Sequence, residues 1–128
     1  MGKVRKKVRP DWDAYFLGIA HVVAKRSTCP RLAVGAVVTL NNKILTTGYN
    51  GAPPGDEHCS DVGCRIVYDH CVRVIHAESN ALKQLANHPL SKEMKIYVTH
   101  KPCDLCINEI KSHNIKETIY DIYETTRS

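Results

Sequence analysis

Four side chains in two short segments restrict what this chain can fold into. His76 and Glu78 stand in "HAESN" (76–80), and Cys103 and Cys106 stand in "KPCDLC" (101–106). Imidazole and thiolate are zinc ligands, and a tetrahedral ion needs its ligand atoms within a few ångströms of one another. A fold that uses them together must return Cys103 to His76 across 27 positions of chain. Each segment also stands at a predicted helix start. "AESNALKQLA" (77–86) is built from helix formers, and Pro102 occupies the place where prolines open helices. Helix starts expose unpaired N–H groups and a partial positive charge, which favours thiolate over thiol. Cys103 and Cys106, three apart, share one side of their helix.

The ligand count separates two kinds of zinc site. A closed structural site takes four protein ligands, whereas a catalytic site takes about three and leaves a place for water. Two thiolates and a neutral imidazole cancel the charge of the ion and leave that place open. Glu78, two residues beyond His76, is placed to serve the water without ligating the ion. Zinc brings the water's pKa near neutrality, and a carboxylate can then carry its proton elsewhere. Other readings compete. A C-x-x-C redox pair leaves His76 and Glu78 without a purpose; a closed zinc is completed by Cys59, Cys64, His70 or Cys71; Glu78 alone is an ordinary surface helix residue. Singly each motif is weak, but H-x-E followed by P-C-x-x-C is specific.

Periodicity supplies the frame. "DWDAYFLGIAHVVAKR" (11–26) spaces Tyr15, Phe16, Ile19, Val22 and Val23 as an amphipathic helix with an acidic start. "RLAVGAVVTL", the turn "NN" and "KILTTGY" read as a β-hairpin over about 32–40 and 43–49. "NGAPPGDEHCSDVGC" reads as loop, extending over 51–70, and a loop that long inside a compact domain is usually functional or disordered. Strands follow at 95–100 and 117–123, with a helix from Cys103 to about Lys111. The expected order is α-β-β-α-β-α-β, without internal repeats.

Charge and cysteine usage narrow the class. The first ten residues carry Lys3, Arg5, Lys6, Lys7 and Arg9 and no acid, so the rest of the chain holds 13 basic and 13 acidic residues. We read residues 1–10 as a solvated, disordered basic tail and 11–128 as a single domain. A near-neutral body lacks the basic face of a nucleic-acid binder and suits a small substrate. No apolar run reaches the ~18 residues of a membrane span, and no apolar h-region follows the basic start. The expected compartment is the cytoplasm, or the host's cytoplasm for a viral protein. Six cysteines (29, 59, 64, 71, 103 and 106) in a chain long enough to bury a core read as reduced thiols rather than a disulfide framework.

The H-x-E…P-C-x-x-C pair is the signature of zinc nucleobase deaminases, in which the glutamate is general acid/base and not a ligand. With "RSTCPRLAVGAVV" (26–38), "GYNGAPPG" (48–55) and "HCVRVIHAESNAL" (70–82), the chain resembles the deoxycytidylate (dCMP) deaminases from about residue 11 to 123. That resemblance implies a three-layer αβα cytidine-deaminase-like fold with a mixed central sheet. It implies zinc on His76, Cys103 and Cys106, attack by zinc-activated water at C4 of cytosine, and Glu78 shuttling protons to N3 and the leaving amine, giving dUMP for thymidylate synthesis. It places Asn50 on the sugar, the Ala77 backbone on the base edge, Arg26 and Ser27 at the phosphate, and Tyr120 or Tyr123 beside the nucleotide. A solvated helix end competes for Arg26, and core packing competes for the tyrosines. Some relatives carry a second, structural zinc, for which Cys29, Cys59 and His70 are candidates here, with Cys64 or Cys71 as a fourth. The resemblance further implies a homohexamer, dCTP as activator and dTTP as inhibitor, and Mg2+ accompanying these nucleotide effectors. Ser79 stands where many relatives have a larger residue. Alternatives are turnover of dCTP or of both nucleotides, a nucleic-acid deaminase using the tail, and a purely structural zinc protein.

Overall fold

A computed structural model describes residues 9–29, 32–51, 66–67, 70–71, 76–85, 94–115 and 117–121. The hairpin forms from β1 (Gly35–Leu40) and β2 (Lys43–Tyr49). Asn41 and Asn42 link them with φ of 51° and 61°. Positive φ at both central residues gives the turn whose twist matches that of the flanking strands, and asparagine tolerates it better than most residues. β1 begins at Gly35 and not at residue 32, because the segment before it is held by the side chain of Asn50. Val34 N donates to Asn50 Oδ1 at 2.8 Å, and Asn50 Nδ2 donates to Leu32 O at 2.7 Å.

β5 (Met94–Val98) lies antiparallel to β1, and β6 (Glu117–Tyr120) lies parallel to β5, giving a mixed sheet in the order β2-β1-β5-β6. Between them in sequence come α2 (Ala77–Lys83) and α3 (Asp104–Ser112), and α1 (Trp12–Ala24) precedes the hairpin. Strand side chains alternate between the faces of a sheet, and the two cores follow that alternation. Val37 and its cross-strand partner Tyr97 meet Phe16 and Ala20 of α1 on one face. Ala36, Val38, Ile96 and Val98 meet Ala81, Leu82 and Ile110 on the other. The fold is thus three layers, α1 on one side of the sheet and α2 with α3 on the other. Coverage of both faces explains why "GAVV" reads as continuously apolar.

Two glycines allow the layers to close. A side chain at Gly35 would strike the backbone of α1 at Ala20 and Ala24, and one at Gly48 would strike the backbone of α2 at Ala77 and Ala81. α1 is opened by Asp11, whose carboxylate accepts from Ala14 N at 2.8 Å. α3 is followed by Asn114 at φ 62°, a left-handed residue just past the helix end.

The stretch expected as loop contains a two-residue antiparallel pair, β3 (Ile66–Val67) and β4 (His70–Cys71). Two-residue strands are too short for periodicity to reveal them. The remainder of that loop, the basic tail at 1–8 and Tyr123 lie outside the described residues. Among the described residues no helix is long and apolar enough to cross a membrane.

Candidate active site

Val98 pairs with Tyr120, Ala36 pairs with Val98, and Gly35 pairs with Tyr49. The carboxyl ends of β2, β5 and β6 therefore share one edge of the sheet with the start of β1. In open α/β sheets that edge is where ligands bind. α2 begins beside it, since Ala77 packs on Gly48, and α3 follows directly from β5.

His76 is the N-cap of α2 and Cys103 is the N-cap of α3, both with extended backbone and neither capping its helix through the side chain. Serine, threonine, asparagine or aspartate would ordinarily stand there to satisfy the helix N–H groups. Both side chains turn instead toward Cys106, in the first turn of α3. His76 Nδ1 lies 3.2 Å from Cys106 Sγ and 3.7 Å from Cys103 Sγ. The three donor atoms all fall within 4.8 Å of one another, making these residues a group able to hold a metal ion. Zinc–nitrogen and zinc–sulfur bonds at a tetrahedral angle put such atoms about 3.6 Å apart, close to the two nitrogen–sulfur distances here. Two sulfurs and one imidazole are also a donor set that zinc favours over the harder cations.

Glu78, one residue into α2, is 1% exposed. Its Oε2 is buried with no hydrogen-bond partner among the described residues. A buried carboxylate oxygen left unpartnered is costly and calls for a positive or proton-donating neighbour. The cluster has the same requirement. Burial pushes the Cys106 thiol well above its ordinary range, and the Glu78 carboxylate, Cys103 and Glu109 add to the effect. A dication among these groups relieves both strains.

Hydrogen bonds tie the site to the sheet. Asn80 Nδ2 donates to Tyr49 O at 2.7 Å, and Gln84 Nε2 donates to Thr47 O at 2.7 Å, so α2 covers carbonyls of the edge strand β2. Thr99 N donates to Gly35 O at 3.0 Å, and Thr99 Oγ1 accepts from Gly35 N at 3.2 Å. The Thr99 hydroxyl also pairs with Nδ1 of the buried His100 at 2.8 Å. These contacts fix the exit of β5, from which the chain runs to Cys103.

The residues expected around a nucleotide fall into two groups. Arg26, Ser27 and Asn50 gather at the end of β2: the Ser27 hydroxyl donates to Asn50 O at 2.8 Å, and the Arg26 guanidinium lies over the Tyr49 ring, 5.9 Å from its centre. Arg26 is exposed, and Asn50 is buried with both ends of its side chain bonded inside the protein. Ala77 is fully buried as the first residue of α2. Tyr120 is half-buried and packs on the core shared by α2 and α3. Of the second-zinc candidates, Cys29 is buried, Cys59 and Cys64 lie outside the described residues, and His70 and Cys71 are described only as backbone of β4.

Asn80, Glu109 and His100 were not legible as site residues. Asn80 carried one signal, its position a helical turn beyond His76.

Residues 10–122 match the family model for the cytidine and deoxycytidylate deaminase zinc-binding region. The chain is 43% identical over 113 residues to ComE operon protein 2 of Bacillus subtilis (strain 168), a match spanning 88% of this chain and 60% of that protein. It is 44% identical over 124 residues to the deoxycytidylate deaminase of Mycobacterium phage D29, spanning 88% of this chain and 95% of that one. Among solved structures, the dCMP deaminase of cyanophage S-TIM5 in complex with dCMP and dUMP superposes with a TM-score of 0.72 at 30% identity, over 89% of this chain and 83% of that one. With its mixed sheet between helical layers and its His/Cys/Cys group at the shared strand edge, this chain belongs to the cytidine and deoxycytidylate deaminase zinc-binding family.

Proposed function

We propose that the protein is a zinc-dependent hydrolase that converts dCMP to dUMP and ammonia. The observation that carries this reading is the buried, unpartnered Oε2 of Glu78 beside three metal donors. His76, Cys103 and Cys106 would hold the zinc, which when bound would supply a water acidified to near neutral pH. Glu78 Oε2 would receive that water's proton and pass it to N3 of the cytosine ring, then take the remaining proton from the hydroxyl added at C4 and deliver it to the departing amine, leaving the C4 carbonyl of dUMP. The Ala77 backbone meets the base edge, while Asn50, Arg26 and Ser27 position sugar and phosphate and Tyr120 lines the neighbouring wall. The dCTP alternative is not favoured: the phage relative is named a deoxycytidylate deaminase, and the similar solved structure holds dCMP and dUMP.

Further expectations belong to the same proposal. They are a role in supplying dUMP for thymidylate synthesis in the cytoplasm, a homohexamer regulated by dCTP and dTTP with Mg2+, and a second, structural zinc on Cys29, Cys59 and His70. A domain from residue 11 onward behind a basic tail is proposed with them.

The test is ammonia release by the zinc-loaded protein from dCMP, dCTP, deoxycytidine, CMP and a cytosine-containing single strand in parallel. We expect turnover of dCMP above all others, lost in Glu78→Gln. Turnover of the single strand alone, or equal rates in native and Glu78→Gln protein, would sink the reading.

A further inference from the structure

The two helices that carry the metal donors are joined by a hydrogen bond that the deamination chemistry does not call for. Ser79 Oγ donates to Glu109 Oε2 at 2.8 Å, and the bond is partly buried. Ser79 adjoins Glu78 in the first turn of α2, and Glu109 lies three residues beyond Cys106 on α3. The bond thus sits one helical turn from the cluster, on the side of each helix that faces the other. A hydroxyl donating to a carboxylate is among the stronger hydrogen bonds available to two side chains.

The site makes particular demands on such a link. His76 belongs to α2, Cys103 and Cys106 belong to α3, and the three ligand atoms must stay within bonding range of one ion. Besides the contacts among the metal donors themselves, this hydrogen bond ties a side chain of α2 directly to a side chain of α3. Packing of Ala81, Leu82 and Ile110 in one core keeps the helices together, but the hydrophobic driving force is non-directional, whereas a hydrogen bond fixes a distance and an angle between two named atoms.

We propose that Ser79 and Glu109 form a positioning pair that sets the register of α2 against α3 and thereby the geometry and retention of the zinc. This rests on the zinc-hydrolase reading above. Partners behind metal ligands commonly change metal affinity by about 10–100-fold, and this pair acts in the same sense through the helices and not through a ligand.

The experiment measures zinc loss to an excess chelator, the visible spectrum of the cobalt-substituted protein, and the thermal midpoint. It uses the native chain, Ser79→Ala, Glu109→Ala, the double variant, and the bond-preserving Ser79→Thr and Glu109→Gln. We expect Ser79→Ala and Glu109→Ala each to lose zinc about tenfold faster, with a shifted cobalt spectrum. The double variant should be no worse than the worse single one, because both remove the same bond. Ser79→Thr and Glu109→Gln should resemble the native protein. Native zinc loss and an unchanged cobalt spectrum in both alanine variants, whatever happens to the thermal midpoint, would overturn the proposal by reducing the bond to a structural one. Additive effects in the double variant, or zinc loss in Glu109→Gln as fast as in Glu109→Ala, would also overturn it, the latter by making charge the operative quantity. A native chain that takes up no zinc would overturn the zinc-hydrolase reading and this proposal with it. A native chain that holds zinc and deaminates dCMP beside indifferent variants overturns this proposal alone.

Discussion

Asn50 Oδ1 accepts the amide hydrogen of Val34 at 2.8 Å, closing the open end of the β1–β2 hairpin with a side chain. Its Nδ2 serves Leu32 O on the same segment. A residue expected to touch a sugar is therefore also a structural brace. Asn50→Ala leaves a buried N–H and a carbonyl without partners, and we expect a loss of about 2–3 kcal/mol in urea unfolding. Asn50→Asp should be at least as damaging, since an oxygen would then face Leu32 O where an N–H now donates. An unchanged unfolding midpoint in both variants would show that the brace carries no weight.

Glu78 should exchange stability for chemistry. Its carboxylate is buried with one oxygen unpartnered, so in the metal-free protein Glu78→Gln should stabilise the fold by about 1–3 kcal/mol. In the zinc-loaded protein the same change should lower kcat on dCMP by about 10²–10⁴-fold. Calorimetry and steady-state kinetics on one preparation test both halves. A variant that is less stable and fully active would contradict each.

The metal donors and Glu78 were legible because their chemistry is tied to short spacings that survive in one dimension: one residue between His76 and Glu78, two between Cys103 and Cys106. The sheet strands were legible where Ala36 to Val38 run apolar, because both faces are covered. What escaped depends on distant partners. Asn50 braces residues that precede it by 16 and 18 positions, and Glu109 meets Ser79 across 30. A glutamate on a helix, read alone, is a solvated residue. The β3–β4 pair escaped for another reason, since two residues per strand leave no alternation to detect.

Glycine substitutions should separate crowded from open positions. Gly48→Ala places a methyl group into the backbone of α2 at Ala77 and Ala81, so α2 must move away from β2. We expect about 1–3 kcal/mol of destabilisation together with weaker zinc retention, because His76 moves with the helix. Gly18 lies in α1, exposed, with no atom near the position of an added methyl. Gly18→Ala should stabilise by about 0.5–1 kcal/mol through helix propensity and a less entropic unfolded chain. Equal effects at the two sites would show that the α2–β2 approach is not as close as described.

Zinc binding and pH should be linked through Cys106. Burial, helped by the Glu78 charge, lifts this thiol above its ordinary value near 9, so the metal-free fold keeps the proton through neutral and mildly alkaline pH. A thiolate ligand must release it. Calorimetric titration of zinc in buffers of differing ionisation enthalpy should therefore show at least one proton released per ion between about pH 6 and 8, and affinity should rise about tenfold per pH unit for each proton displaced. For the metal-free fold the sign reverses. Because the folded Cys106 holds its proton more tightly than the unfolded chain does, this contribution to stability is intact below the ordinary value and is lost as pH rises above it. Tyr97, lifted by burial and by its hydrogen bond to Asp13, adds a loss of the same sign above its ordinary value of 10. Zinc removes the first of these losses, since the folded state then has no Cys106 proton to retain, but leaves the second. Metal-free protein should accordingly weaken from about pH 9 upward, while zinc-loaded protein should hold until the phenol begins to matter, and Tyr97→Phe should extend that range. Zinc uptake without proton release would remove Cys106 from the ligand set.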